Sequence, residues 1–382
     1  MTRSGTPQIW DIFCRVVDNF GDAGVCWRLA RLLRQEHDLP VRLWIDDLKT
    51  LQELHPGLDP EASVQSCAGI TVCRWPQAGL PEPEAAVIIE AFGCGLPEEW
   101  VARMAQTARP PLWIILEYLS AEDWVDSHHG LSSPHPQLAL PRYFFFPGFT
   151  PLTGGLLREA DLLPRRDNFD TAARDAFWNE LGFDAPQVSA ASLFAYADAP
   201  VAALLSAMAA DARPLVLAVP EGPLLAIVRS WLGAEARTGQ GPWRRGALEV
   251  RALPFLPQEQ YDELLWACDF NFVRGEDSFV RAQWAGKPLV WQPYRQDDGA
   301  HQRKMAAFLA RYCSELASPA VDALRGFWRG WNEGSVDLAP AWHDFRSEVA
   351  DLAGHAREWT TRLADGGELA AQLVEFARRK VK

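Results

Sequence analysis

The chain has 382 residues, 48% of them hydrophobic, and a formal net charge of −13. That length exceeds one ordinary core and predicts two domains. The charge argues against direct binding to a nucleic-acid backbone, which needs clustered Lys and Arg: no basic block is longer than Arg378-Arg379-Lys380.

Cys14, Cys26, Cys67, Cys73, Cys94, Cys268 and Cys313 are odd in number and form no C-x-x-C pair. They predict buried thiols in a reducing compartment rather than a disulfide framework or zinc site. The start, Met1 to Pro7, lacks the apolar stretch of a signal peptide, and no apolar run is long enough to span a bilayer. A cytoplasmic protein away from membranes is expected. The 17 Trp residues are scattered, which points to packing rather than base stacking.

In chain order, the first apolar run, Ile9–Val17, reads as a strand that ends abruptly at Asp18, Gly21, Asp22 and Gly24. A helical pattern follows over Asp22–Gln35 (Val25, Leu29, Leu32, Leu33). Strand, glycine turn and helix form the opening unit of a nucleotide-handling α/β domain, and ligands there sit at the strand's carboxyl end. G-x-x-G is not the dinucleotide fingerprint, and acids occupy the positions a pyrophosphate would approach. The turn therefore suits proton transfer or a cation. Further strands are predicted at Val41–Ile45, Ile70–Trp75, Ala86–Ala91, Leu112–Leu116 and Tyr143–Phe146, with a helix at Glu98–Gln106. Residues 156–187, including a helix over Thr171–Leu181, read as the end of the first domain and a linker.

A second series of strands is predicted at Ser192–Tyr196, Pro214–Val219, Leu248–Leu253, Asp269–Val273 and Pro288–Trp291. Helices follow at Trp342–Leu363 and Gly367–Val381, the last of them crossing back onto the first domain. Within this half, Arg274-Gly275-Glu276-Asp277-Ser278 joins a strand to a helix. Gly275 permits close backbone approach, Asp277 or Ser278 can cap the helix, and the helix start with Arg274 makes an anion site fit for a diphosphate. A sugar-nucleotide transferase needs such a site for its leaving diphosphate, and a carboxylate opposite to steer or deprotonate the acceptor. No D-x-D ends an apolar strand, which favours chemistry without a metal.

Four motifs then carry a resemblance: 17–25 (Val17-Asp18-Asn19-Phe20-Gly21-Asp22-Ala23-Gly24-Val25), 117–122 (Glu117-Tyr118-Leu119-Ser120-Ala121-Glu122), 146–149 (Phe146-Pro147-Gly148-Phe149) and 272–279 (Phe272 to Phe279). The chain resembles the protein-arginine rhamnosyltransferases that modify bacterial elongation factor P, the EarP family. The resemblance implies a GT-B glycosyltransferase fold, α/β, with two facing Rossmann-like domains and an interdomain cleft. It implies an acceptor-binding domain at 1–184, a nucleotide-sugar-binding domain at 185–360, and a C-terminal helix of about 361–382 packed back on the first. It implies inverting transfer of L-rhamnose from dTDP-β-L-rhamnose to an arginine of elongation factor P, with no metal and no cofactor. By position, Asp18, Asp22 and Glu276 match the catalytic acids, with Asp22 as general base. Arg274, Gly275, Asp277 and Ser278 match the diphosphate turn, Phe255 and Gln258 the thymine loop, and Phe194 and Tyr196 a donor-binding strand end.

Plainer readings stand beside these. Asp22 could be an N-cap and Asp18 a turn residue. Glu276 could simply pair with Arg274. Phe194, Tyr196 and Phe255 could be core. A GT-B transferase with another sugar or acceptor, or a non-catalytic nucleotide-sugar-binding regulator of the same partner, are the rival functions.

Overall fold

A computed structural model describes residues 8–18, 20–75, 82–236, 239, 241–296 and 299–381. The chain divides into two compact units, residues 1–160 with 363–382, and residues 161–362.

The first unit runs β1 (Trp10–Cys14), α1 (Phe20–Gln35), β2 (Val41–Ile45), α2 (Leu48–Leu54), β3 (Val64–Cys67), β4 (Ile70–Arg74), β5 (Val87–Ala91), α3 (Glu98–Gln106), β6 (Leu112–Leu116), α4 (Trp124–His128), β7 (Ser132–Pro134) and β8 (Pro141–Phe145). The sheet order is β3-β4-β2-β1-β5-β6-β8-β7. Only the edge strands β3 and β7 pair antiparallel. The central strands β1, β5 and β6 are buried along their whole length. That is why their sequences are almost continuously apolar: both faces of a parallel sheet are covered. Phe13 of β1 packs on Trp44 (5.7 Å, stacked) and Trp100 (5.0 Å). Asp11, the charge within β1, is fully buried and held by the Arg42 fork at 2.6 and 2.7 Å. Burial pushes its carboxyl up and Arg42 pulls it back.

The second unit runs α5 (Leu162–Asp167), α6 (Thr171–Glu180), β9 (Ser189–Leu193), α7 (Val201–Ala210), β10 (Leu215–Pro220), α8 (Pro223–Leu232), β11 (Trp243–Arg245), β12 (Leu248–Leu253), α9 (Gln258–Ala267), β13 (Phe270–Arg274), α10 (Asp277–Ala285), β14 (Leu289–Gln292), α11 (Ala300–Tyr312), α12 (Ala320–Glu333) and α13 (Ala339–Ser347). Then come α14 (Val349–Ala364) and α15 (Leu369–Lys380). The second sheet has the order β11-β12-β10-β9-β13-β14, parallel except for β11.

In each sheet the strand order reverses beside the first strand of the parallel set. The crevice outside the carboxyl ends at such a reversal is where open α/β sheets bind ligands. In the first unit it lies between β1 and β5, and in the second between β9 and β13.

The expected divide at 184/185 is corrected to 160/161. Helix α6 belongs to the second unit because Phe177 and Trp178 pack with Ala190, Val216, Leu253 and Leu264. Arg174 ties it to the Ala267 carbonyl at 3.0 Å, and Phe169 packs edge-on to Trp266. Residues 363–382 belong to the first unit. There Leu369 donates to the Leu156 carbonyl at 3.1 Å, and Phe376 lies edge-on to Tyr143 and Phe145. The helix expected over 342–363 is two, α13 and α14, parted at Glu348. The short edge strands β3, β7 and β11 were not expected from the sequence. No helix among the described residues is long and apolar enough to cross a membrane. The seven cysteines are all free thiols, and burial pushes Cys73 up to about 11.

Candidate functional site

In the first unit the chain leaves β1 and turns sharply into α1. The turn closes where the Gly21 amide donates to the Asp18 carbonyl at 2.7 Å. Helix α1 begins at Phe20, so Asp22 is its third residue and not its N-cap. Its carboxylate reaches back and accepts the amides of Val17 and Asp18 at 2.8 and 2.9 Å. This resembles a capping box read one step further out. Asp22 is 2% exposed and Asp18 8%. Burial pushes the Asp22 carboxyl up; the two amides and the Tyr118 hydroxyl pull it down, and Asp46 pushes it up. The outcome is a carboxyl raised above its ordinary range, which moves it toward the value a general base needs near neutral pH.

Tyr118 follows β6 and Phe92 follows β5; the Tyr118 hydroxyl reaches Asp22 at the start of α1 and its ring stacks on Phe92, beside the β1/β5 switch point. Phe92 drew no attention in the sequence. Its signal is visible only in the backbone, where φ is +57°.

In the second unit the predicted donor residues fall at the carboxyl ends of β9, β12 and β13. The Arg274 guanidinium lies over Phe194 at 4.6 Å and Tyr196 at 4.4 Å, a cation–π cradle that fixes its direction. Gly275 turns with φ +59°, donating to the Gln292 carbonyl at 3.0 Å and accepting from the Trp291 indole at 2.7 Å. The first bond of α10 runs from the Val280 amide to the Glu276 carbonyl, so the amides of 277–279 precede it at the positive end of the helix. That start, with Arg274 beside it, can hold a diphosphate.

The expectation that Asp277 or Ser278 caps α10 needs correcting. Glu276 is the N-cap by position and makes no side-chain cap bond. The Ser278 hydroxyl donates back to the Arg274 carbonyl and accepts the Arg274 amide at 3.1 Å, so it braces the turn. Gln258, at the start of α9, reaches Asp277 at 3.4 Å and links the loop after β12 to the turn after β13. Phe255 is half-buried in that loop, and Phe194, Tyr196, Arg274, Glu276 and Asp277 are half-buried as well. None of the three aromatics is a closed core residue.

Two residues of the second unit were missed. Gln292, buried at the end of β14, accepts the Tyr196 amide at 2.9 Å and donates to Asp198 at 3.0 Å. Tyr294 packs edge-on to Tyr196. A polar residue ending an apolar strand was the available signal for Gln292. Among the described residues, no group of three or more His, Cys, Asp or Glu is placed to hold a metal ion.

Comparison with known proteins gives a consistent picture. The family model described as elongation-factor P (EF-P) rhamnosyltransferase EarP matches residues 10–378. The chain is 50% identical over 376 residues to a protein-arginine rhamnosyltransferase of Pseudomonas putida, covering 97% of this chain and 99% of that one. A solved structure presented as the structural basis for EarP-mediated arginine glycosylation of translation elongation factor EF-P matches with a TM-score of 0.69 at 39% identity, over 97% of this chain and 99% of that one. A glycosyltransferase from Rickettsia africae matches with a TM-score of 0.56 at 8% identity, over 99% and 100% of the two chains, a likeness of fold alone. The fold is GT-B.

Proposed function

The chain belongs to the EarP family of protein-arginine rhamnosyltransferases, and on that premise we propose that it transfers L-rhamnose from dTDP-β-L-rhamnose to an arginine of translation elongation factor P, with inversion, without a metal or other cofactor, in the cytoplasm. The observation that supports this reading is that the acids and the phosphate turn each occupy the switch point of their own sheet. The first unit takes the acceptor and the second the donor.

The acceptor sets the chemical problem. A guanidinium is protonated at neutral pH and has no free lone pair. In the proposed step the nitrogen attacks the sugar's anomeric carbon from the side opposite the diphosphate. The C–N bond forms as the C–O bond breaks, and that bond's electron pair leaves with dTDP. One proton passes from the nitrogen to Asp22. Asp18 holds the guanidinium by a charged hydrogen bond, and Glu276 steadies sugar and nitrogen near the developing positive charge. Arg274 and the amides at the start of α10, that of Ser278 among them, receive the negative charge growing on the diphosphate, with Gly275, Asp277 and the Ser278 hydroxyl shaping the turn. Phe255 and Gln258 hold the thymine, while Phe194 and Tyr196 support the donor.

Intact-mass analysis of elongation factor P incubated with the protein and dTDP-β-L-rhamnose tests this directly. A gain of one deoxyhexose, lost when the acceptor arginine is replaced by Lys, is expected. An unchanged mass contradicts the reading, and equal transfer from a UDP-sugar contradicts the donor.

A further inference from the structure

The segment Glu117-Tyr118-Leu119, at the carboxyl end of β6, has no part in the chemistry above, yet it sits against the base. The Tyr118 hydroxyl donates to the Asp22 carboxylate. Its ring stacks on Phe92 with centroids 4.4 Å apart and planes 14° apart. Phe92 holds φ at +57°, the left-handed region that a bulky residue adopts only at a cost. The surrounding bonds hold it there. The Phe92 amide donates to the Leu116 carbonyl at 2.7 Å, and the Glu117 amide to the Phe145 carbonyl at 2.9 Å. Buried Glu90 accepts the Gly95 amide and the Trp113 indole, both at 2.9 Å, and so secures the turn that carries Phe92. Strain kept in this way beside a reactive group marks a position fixed for function.

The lone-pair count on Asp22 gives the reason. A carboxylate offers about four lone-pair directions. The amides of Val17 and Asp18 and the Tyr118 hydroxyl fill three. We infer that Tyr118, clamped by the Phe92 ring, is a positioning residue that turns the Asp22 carboxylate so that its remaining lone pair meets the acceptor nitrogen. The inference rests on Asp22 being the base. The titratable groups acting on Asp22 are Asp46 beyond β2, Cys14 of β1 and Tyr118 itself, while Asp18 meets it through its backbone amide. Burial and Asp46 disfavour its charge, so the Tyr118 hydroxyl also helps keep it ionised.

Tyr118→Phe keeps the stacked ring and removes only the hydroxyl. We expect kcat to fall about tenfold, the KM for dTDP-β-L-rhamnose to stay unchanged, and the acid limb of the kcat–pH profile to move to higher pH. Phe92→Leu, which keeps the hydroxyl and loosens the clamp, should move kcat the same way by less, and serves if the first variant fails to fold. Wild-type kcat with an unmoved limb in Tyr118→Phe overturns the inference. So does a fall in kcat with the limb unmoved, the signature of a merely structural tyrosine. Full turnover in Asp22→Asn would instead overturn the base assignment, a separate failure from that of the clamp.

Discussion

Gly21 shows how closely the acid loop is built. A Cβ at this position would stand 2.6 Å from the Asp18 carboxylate oxygen and 3.2 Å from its carbon. Gly21→Ala must push that carboxylate aside, since the backbone beneath it is tied by the Gly21–Asp18 turn bond. A displacement near 1 Å at a reacting group costs about 100-fold in rate. Gly21→Ala should therefore lose that much transfer while its dTDP affinity, measured by calorimetry, is unchanged. Arg274 is the matching residue in the proposed donor turn. Arg274→Ala should weaken dTDP binding about 10- to 100-fold, the worth of a charged hydrogen bond. Arg274→Lys should recover only part of it, because an ammonium cannot lie flat between Phe194 and Tyr196 as the guanidinium does. Unchanged affinity in both would remove Arg274 from the phosphate turn.

At the scale of elements, the two helices that carry the proposed donor loops are locked together. Asp262 of α9 and Arg281 of α10 form a bidentate pair at 2.8 and 2.6 Å, with side chains 3% and 1% exposed. Removing one partner strands a buried charge, so Asp262→Leu should cost about 3–5 kcal/mol in urea unfolding of the second unit. Replacing both (Asp262→Leu with Arg281→Met) should restore most of it, and equal losses in single and double variants would show that the pair is not what joins the helices. Helix α15 has a different fastening. Glu368 caps it, accepting the amides of Ala370 and Ala371 at 2.9 and 2.7 Å, and burial pushes its carboxyl up to about 7 from an ordinary 4.5. A carboxyl whose folded pKa is raised stabilises the fold fully below its unfolded pKa and loses that contribution as pH climbs through the folded one. Stability of the first unit should thus fall by about 1 kcal/mol per pH unit between roughly pH 4.5 and 7 from this group. Amide exchange along α15 should quicken over that window, beyond the intrinsic rise, and Glu368→Gln should flatten the dependence.

Across the whole molecule, the sequence was most legible where burial alone decides structure. The predicted bounds of β2, β6 and β12 matched residue for residue: β6 because a strand covered on both faces needs only bulk, β12 because Glu249 and Arg251 alternate with Leu248, Val250 and Ala252. It was least legible where function bends the pattern. The strand expected at 192–196 is in fact β9, Ser189–Leu193. Phe194 and Tyr196 look like strand residues but belong to the Arg274 cradle beyond its end, while small, buried Ala190 and Ala191 give the true strand little signal. The domain divide was misplaced for a related reason: an amphipathic helix such as α6 shows in its sequence that it covers something, not which sheet it covers. The acid loop after β1 and the glycine turn after β13 show as motifs in the sequence, but the Phe92 backbone and the Tyr118 bond to Asp22 join residues far apart in the chain and left no local trace.

The proposed division of labour gives the acceptor's proton to the acids after β1 and the donor to the turn after β13. Asp22→Asn tests it most directly, with dTDP-β-L-rhamnose affinity by calorimetry and deoxyhexose transfer to elongation factor P by intact mass measured on the same preparation. Donor affinity should stay at the wild-type value while transfer is abolished. Near-normal transfer by this variant would contradict it.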